Sequence, residues 1–205
     1  MPKSDDLQEL SAVVLAGGKS SRLGRDKTRV CLQGQTLVQR MVGLSREFCP
    51  DTHVVGQRVD PELGTSWMLD KIPGIGPMGG IITALESLQR PCLVLACDLP
   101  CLKPGILSRL IQHWSQSGRQ KCMTTYRQEG TGYIEALVAI YEPSCLELLL
   151  ASYQQGCYKL TRAIPEQFRL HIPYGPEEKP CFFNINYPYE LEKVLSGTNP
   201  DLETK

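Results

Sequence analysis

Residues 12–27 read Ala-Val-Val-Leu-Ala-Gly-Gly-Lys-Ser-Ser-Arg-Leu-Gly-Arg-Asp-Lys. A short apolar run gives way to adjacent glycines at Gly17 and Gly18, and the polar stretch after them carries cations at Lys19, Arg22 and Lys27. Glycines let backbone N–H groups approach an anion closely, and cations offset charge on phosphates, so these residue types in this order could handle a polyphosphate. Two better-known phosphate loops do not fit. A P-loop needs a glycine five residues before Gly18-Lys19-Ser20, where Val13 stands, and the fingerprint G-x-G-x-x-G is absent. By itself a strand followed by Gly-Gly reads equally well as a tight strand-to-helix turn.

Three further clusters carry possible chemistry. Asp98 closes the apolar run Cys92 to Cys97 and is followed at once by Pro100, so its carboxylate belongs at a strand end; its plainer reading is a turn or helix-capping aspartate ahead of Lys103-Pro104. Residues 73–80, Pro-Gly-Ile-Gly-Pro-Met-Gly-Gly, put four glycines and two prolines before a helix, either a simple turn or a loop laid against a flat ligand. Asp70 lies just upstream and alone would be an ordinary exposed acid. Asn184 and Asn186, at i and i+2 on an extended segment, point the same way, so both amides can reach one site; the plainer reading is capping of the helix that follows.

Taken together, L-A-G-G-x-S-x-R-x-G-x-D-K at 15–27, Cys97-Asp98-Leu99-Pro100-Cys101-Leu102, the glycine-rich loop and Phe182-Phe183-Asn184-Ile185-Asn186-Tyr187-Pro188-Tyr189-Glu190-Leu191 resemble, in order, the four motifs of the molybdenum cofactor guanylyltransferases. These are nucleotidyltransferases of the nucleotide-diphospho-sugar transferase fold, and the resemblance runs from about Ser11 to Val194. It implies transfer of GMP from GTP to the terminal phosphate of molybdopterin (Mo-molybdopterin), giving the guanine dinucleotide and pyrophosphate. In that reading Asp98 binds Mg²⁺, with Asn184 or Asn186 able to supply a second oxygen. Lys27 acts at the α-phosphate, oriented by Asp26, and Arg22 grips the leaving phosphates with the Gly17-Gly18 backbone. Leu15, Ala16, Gly17, Gly18, Lys27, Asp70, Asp98 and Gly79 bind the nucleotide, while Glu135, Asn184 and Asn186 face the pterin. Substrate hand-over from other cofactor-biosynthesis or acceptor proteins is compatible with it.

Two positions depart from the family's pattern. Where the family commonly offers an asparagine after the second strand, this chain has Gly56-Gln57, and where a proline is usual near Glu135 it has Ala136. The related cytidylyltransferases typically carry Leu-Ala-Ala-Gly, so Gly17 stands where they have a methyl group. Rivals to the guanylyltransferase reading are a CTP-dependent or other nucleotidyltransferase of the same fold, and a silent nucleotide-binding or cofactor-carrier module.

Positioning these residues calls for strands alternating with helices. Strands are expected at 11–16, 53–55, 67–69, 92–97, 121–126, 135–141 and 168–172, helices at 36–47, 77–88, 107–114, 143–152, 159–164 and 189–195, and an extended run at 182–185. That alternation predicts a single-domain α/β, Rossmann-like three-layer sandwich with a mostly parallel sheet over 11–195, ligands at the carboxyl ends of the strands, and loose termini at 1–10 and 196–205. The 205 residues suit one core. Equal numbers of basic and acidic residues, 22 each, give no global field for nucleic acid or a membrane surface. The absence of a long apolar run points to a cytoplasmic protein. The odd count of nine cysteines argues for free thiols, and C-x-x-x-C at Cys97 and Cys101 is not a tetrahedral metal knuckle. His53, His113 and His171 fall on unrelated elements and read as bystanders.

Overall fold

The computed structural model describes residues 4–17, 30–56, 58 and 60–195. Its centre is β1 (Ser11–Ala16), six residues with every side chain buried. Ala12, Val14 and Ala16 face one layer of helices while Val13 and Leu15 face the other. Such a run, apolar on both faces, is what a strand covered on both sides requires. β4 (Thr52–Gly56) and β6 (Cys92–Ala96) flank β1, both parallel to it. The remaining main-sheet strands are β5 (Ser66–Met68), β7 (Met123–Gln128), β8 (Ile134–Tyr141) and β9 (Arg169–Tyr174), in the order β5-β4-β1-β6-β8-β7-β9. Only β8 runs against its neighbours. The expected mostly parallel three-layer sandwich is therefore what forms.

Helices α2 (Leu37–Arg46) and α4 (Pro104–Gln116) bury Val38, Met41, Leu107 and Trp114 on one face of the sheet. Helices α3 (Pro77–Leu88), α5 (Cys145–Gln154) and α6 (Leu160–Ala163) cover the other with Met78, Ile81, Leu149 and Leu160. Chain connections leave β1 toward opposite sides of the sheet, which makes its carboxyl end the switch point where ligands of open α/β sheets bind.

Several local structures differ from the sequence expectation. Ser4–Glu9, expected to be a loose leader, forms helix α1; Leu10 after it is buried, and Glu9 meets Arg119 at 2.5 Å. A hairpin of two-residue strands, β2 (Cys31–Leu32) and β3 (Gln35–Thr36), precedes α2, with Gln33 and Gly34 both at positive φ as a tight primed turn demands. Thr36 is then the N-cap of α2 and shares a capping box with Gln39. Residues 182–185 are not a strand: Lys179–Phe182 is a 3-10 turn begun by Pro180, and the chain beyond it is irregular until α7 (Pro188–Leu195). The β7–β8 register jumps from Thr125 opposite Ala139 to Arg127 opposite Ile134, so extra residues of β8 bulge where Glu135 sits.

Gly56 closes β4 at φ 121°, where a Cβ would stand 2.9 Å from the carbonyl carbon of Ala16 and 2.9 Å from the amide nitrogen of Gly17. Both the dihedral and the contact exclude a side chain. Gly56→Ala is therefore expected to lower stability by about 1–3 kcal/mol, the cost of one such strained position. In urea unfolding the midpoint should fall with the slope unchanged; an unaltered midpoint would show that the strand end relaxes freely.

Candidate active site

The carboxyl ends of β1 and β6 set the site. Leu15 pairs with Ala96, and the Cys97 N–H donates to the Leu15 carbonyl at 3.3 Å, so the chain leaving β6 stays beside the chain leaving β1. Asp98 emerges there half-buried, with exposed Gly17 at the neighbouring strand end. The N-cap of α4 is Lys103, five residues on, so Asp98 does not cap that helix. Its main-chain carbonyl instead accepts the N–H of Ile185 at 2.9 Å.

That hydrogen bond brings in the paired asparagines. Ile185, fully buried against Val30, Leu32 and Leu37, is the peg, and Asn184 and Asn186 flank it. The Glu190 carboxylate takes the N–H groups of both Asn186 (2.5 Å) and Tyr187 (2.8 Å), so the helix supplies its own acceptor. Asn184 Oδ1 is buried without a hydrogen-bond partner. An orphaned acceptor beside a carboxylate-bearing strand end suits a hard cation, because Mg²⁺ takes oxygen ligands and needs only one or two from the protein when phosphates and water complete its shell. No cluster of three or more His, Cys, Asp or Glu that could hold a metal occurs among the described residues. Cys97 lies in the core, and none of the nine cysteines is in a disulfide.

The flank of β1 beside α3 is built from glycines. Gly80 lets the first turn of α3 approach β1, since a Cβ there would stand 2.8 Å from the Leu15 side chain. At Gly79 a Cβ would come within 2.3 Å of the Ile72 carbonyl and 2.8 Å of an Asp70 carboxylate oxygen. Asp70, half-buried rather than an ordinary exposed acid, accepts the Ile72 N–H at 2.9 Å, and the Lys71 N–H donates to Thr83 of α3 at 3.0 Å. Packing thus accounts for Gly79 and Asp70 as the clasp that fixes the glycine-rich turn. Leu15 and Ala16 bury their side chains and can offer a ligand only backbone. Gly18, Lys19, Arg22, Asp26 and Lys27 lie outside the described residues, as does Gln57.

On the other side, β8 runs antiparallel to β6 and so begins on the same sheet edge, which places Glu135 on the edge that carries Asp98. The bulge turns it toward Tyr174, whose hydroxyl donates to its carboxylate. Tyr174 meets Tyr126 edge-on and Phe182 at a tilt, and Phe182 begins the segment that carries the asparagines. Asp98, Glu135, Asn184 and Asn186 are thereby gathered at one edge. The sequence reading missed Arg127 and His171 on that edge, and also Trp67, whose indole donates to the Gly56 carbonyl at 3.3 Å. For Trp67 the signal was an aromatic at a strand end beside Asp70.

The family of MobA-like NTP transferase domains matches residues 12–169. A probable molybdenum cofactor guanylyltransferase of Chloroflexus aggregans is 31% identical over 208 residues, covering 93% of this chain and 97% of that protein. One of Thermococcus gammatolerans is 32% identical over 193 residues, covering 90% and 98%. Among solved structures, molybdopterin-guanine dinucleotide biosynthesis protein A of Archaeoglobus fulgidus superposes with a TM-score of 0.72 at 26% identity, over 91% of this chain and 97% of that one.

Burial holds the Glu135 carboxyl above its ordinary value of 4.5, against the smaller opposing pull of the Tyr174 hydroxyl. A raised folded-state value means that the folded protein holds the proton more tightly than the unfolded chain does. Stability is then lost as pH rises through 4.5 toward the folded value and stays lower above it. Glu135→Gln keeps the shape and removes the charge, so its melting temperature is expected to exceed that of wild type at pH 8 and to match it near pH 4. No gain at pH 8 would show that the carboxylate sits there without strain.

Proposed function

The chain belongs to the family of MobA-like NTP transferase domains, and from that premise we propose that it joins the GMP part of GTP to the terminal phosphate of Mo-molybdopterin, releasing pyrophosphate. The observation that carries this reading is the hydrogen bond from Ile185 to Asp98, which brings a carboxylate, an orphaned asparagine oxygen and the Gly17 strand end to one switch point. A transferase needs those groups to be rigid with respect to one another. The relatives named as molybdenum cofactor guanylyltransferases narrow the acceptor.

The nucleophile is a phosphate oxygen of the acceptor, so no protein serine, cysteine or histidine has to be activated. Catalysis is then positioning and charge stabilisation. Asp98 and Asn184 would hold Mg²⁺, which when bound neutralises charge on the phosphates. The Gly17 backbone, exposed and beside Asp98, faces the nucleotide. From the sequence, Lys27 offsets charge at the α-phosphate and Arg22 grips the departing phosphates. Glu135 and the asparagines orient the acceptor. No helix among the described residues is long and apolar enough to cross a membrane, and we place the reaction in the cytoplasm. Pyrophosphate release measured with each of the four NTPs and Mo-molybdopterin tests the whole reading: GTP should be used best, and a preference for CTP would overturn it.

Asp98→Asn is nearly isosteric and leaves the backbone bond to Ile185 in place. It should keep the fold and cut turnover at least about a hundredfold, the scale of a lost preorganised charge. Near-normal pyrophosphate release at saturating Mg²⁺ would remove Asp98 from the metal.

Gly17 gives a second test. Among the described residues a Cβ there would meet only the Gly56 Cα, at 3.7 Å, an ordinary contact. None of them blocks alanine, so a kinetic effect without a change in melting temperature reports the ligand. Gly17→Ala should keep the melting temperature and lower kcat/KM for GTP more than for CTP, by roughly 10- to 200-fold in their ratio. An unchanged ratio in a competition assay would show that Gly17 does not face the base.

A further inference from the structure

At the far side of the sheet from β5, the turn joining β7 to β8 borders an open cavity of about 320 Å³ lined by Arg127, Gln128, Glu129, Gly132, His171 and Pro173. The turn is fixed by its own bonds. The Gln128 N–H donates to the Tyr133 carbonyl at 2.8 Å, the Gly132 N–H to the Gln128 carbonyl at 2.9 Å, and the Thr131 hydroxyl to Gln128 Oε1 at 2.8 Å. Arg127 extends beside Gly132 and meets Glu166 at 2.9 Å. His171 Nε2 is buried with no hydrogen-bond partner, and burial with Arg127 and Arg169 nearby pushes its pKa below the ordinary 6.5, so at neutral pH the ring is uncharged and can donate or accept.

The lining narrows the ligand. Arg127 offers donors, and Gln128, with its oxygen engaged by Thr131, offers its amide N–H groups. Glu129 offers only acceptors, and a carboxylate in the wall opposes a phosphate. A planar heterocycle whose edge alternates N–H donors with a carbonyl acceptor matches both signs at once, with Pro173 against its face. The volume suits a fused ring and lies at the small end of small-molecule pockets. β7 and β6 end on the same edge with only β8 between them, so the cavity mouth lies roughly 10 Å from Asp98 along the sheet. We propose that this cavity holds the pterin ring of the acceptor, Arg127 donating to its ring carbonyl and Glu129 accepting from its amino edge, while the phosphate arm reaches Asp98. The assignment rests on the acceptor named under the proposed function.

The test uses 6-hydroxymethylpterin, a fluorescent ring without phosphate, titrated into the full chain. Wild type should bind it saturably. Arg127→Ala and Glu129→Gln should each weaken binding at least tenfold, while Glu166→Gln, which breaks the ion pair but keeps Arg127, should not. GTP affinity by calorimetry and the melting temperature should be unchanged in all three, because the Arg127–Glu166 pair is exposed and contributes little. No binding by wild type, undiminished binding by Arg127→Ala, or displacement of the ring by inorganic phosphate alone would overturn the assignment. With Mo-molybdopterin, turnover by wild type but an unchanged acceptor KM in the variants would sink the cavity and leave the reaction standing. Arg127-dependent ring binding without any pyrophosphate release would do the reverse.

Discussion

Two strands and a helix converge on the carboxyl end of β1, where backbone contacts leave no room for a side chain at one approaching position and a close side-chain contact favours glycine at another. Gly56 of β4 lies against Ala16 and Gly17, and Gly80 of α3 lies on Leu15. This crowding draws the ends of β4, β1 and β6 into one surface. The Cys97-to-Leu15 and Ile185-to-Asp98 hydrogen bonds then attach the chain after β6, and the segment before α7, to that surface. Because each attachment is made by backbone, the main chain fixes where the side chains of Asp98, Asn184 and Asn186 emerge. The orphaned Asn184 oxygen is the remainder: a buried acceptor without a partner is a cost that a folded chain seldom keeps unless a ligand removes it.

Further along the edge, positioning is done by aromatic side chains. Tyr126, Tyr174 and Phe182 form one cluster between β7, β9 and the 3-10 turn, and Arg109 of α4 sits over the Tyr126 ring at 4.9 Å while pairing with Glu178 at 3.0 Å. Phe182 leads into the asparagines and Tyr174 holds Glu135, so the two groups share a support. A carboxylate kept partly buried against its solvation is a common mark of a functional group, and here the bulge in β8 is what aims it.

The central strands were legible because burial on both faces leaves an unbroken apolar run, as in β1 and β6, and α3 because Pro77 and the glycines punctuate its start. The β2–β3 hairpin was not, since two-residue strands carry no periodicity; only Gly34 hints at the turn. Of residues 182–185, read as extended, Phe183 is extended but Phe182 closes a 3-10 turn that has Pro180 in it, and the buried Ile185 pegs a segment without regular structure. Asp98, Glu135 and the asparagines could be picked from motif resemblance, but bringing Glu135 to the others depends on β8 running antiparallel, and joining the asparagines to Asp98 on the long-range Ile185–Asp98 hydrogen bond, neither of which a local pattern encodes. Arg127 and His171 stand 44 residues apart and meet only because β7 and β9 pair, so spacing could not join them.

The glycines show how far a residue type alone can be read as function. Gly56 and Gly79 are required by backbone contacts and Gly80 is favoured by its contact with the Leu15 side chain, so the fold accounts for them whether or not a nucleotide binds. Gly17 differs: it is exposed, its backbone needs no left-handed dihedral, and among the described residues a methyl group would meet only an ordinary contact with Gly56. None of those residues claims the space a side chain would take at this strand end. That contrast separates Gly17 from Gly56 and Gly79 on steric grounds, so an effect of alanine there that leaves stability intact reads out something other than this packing.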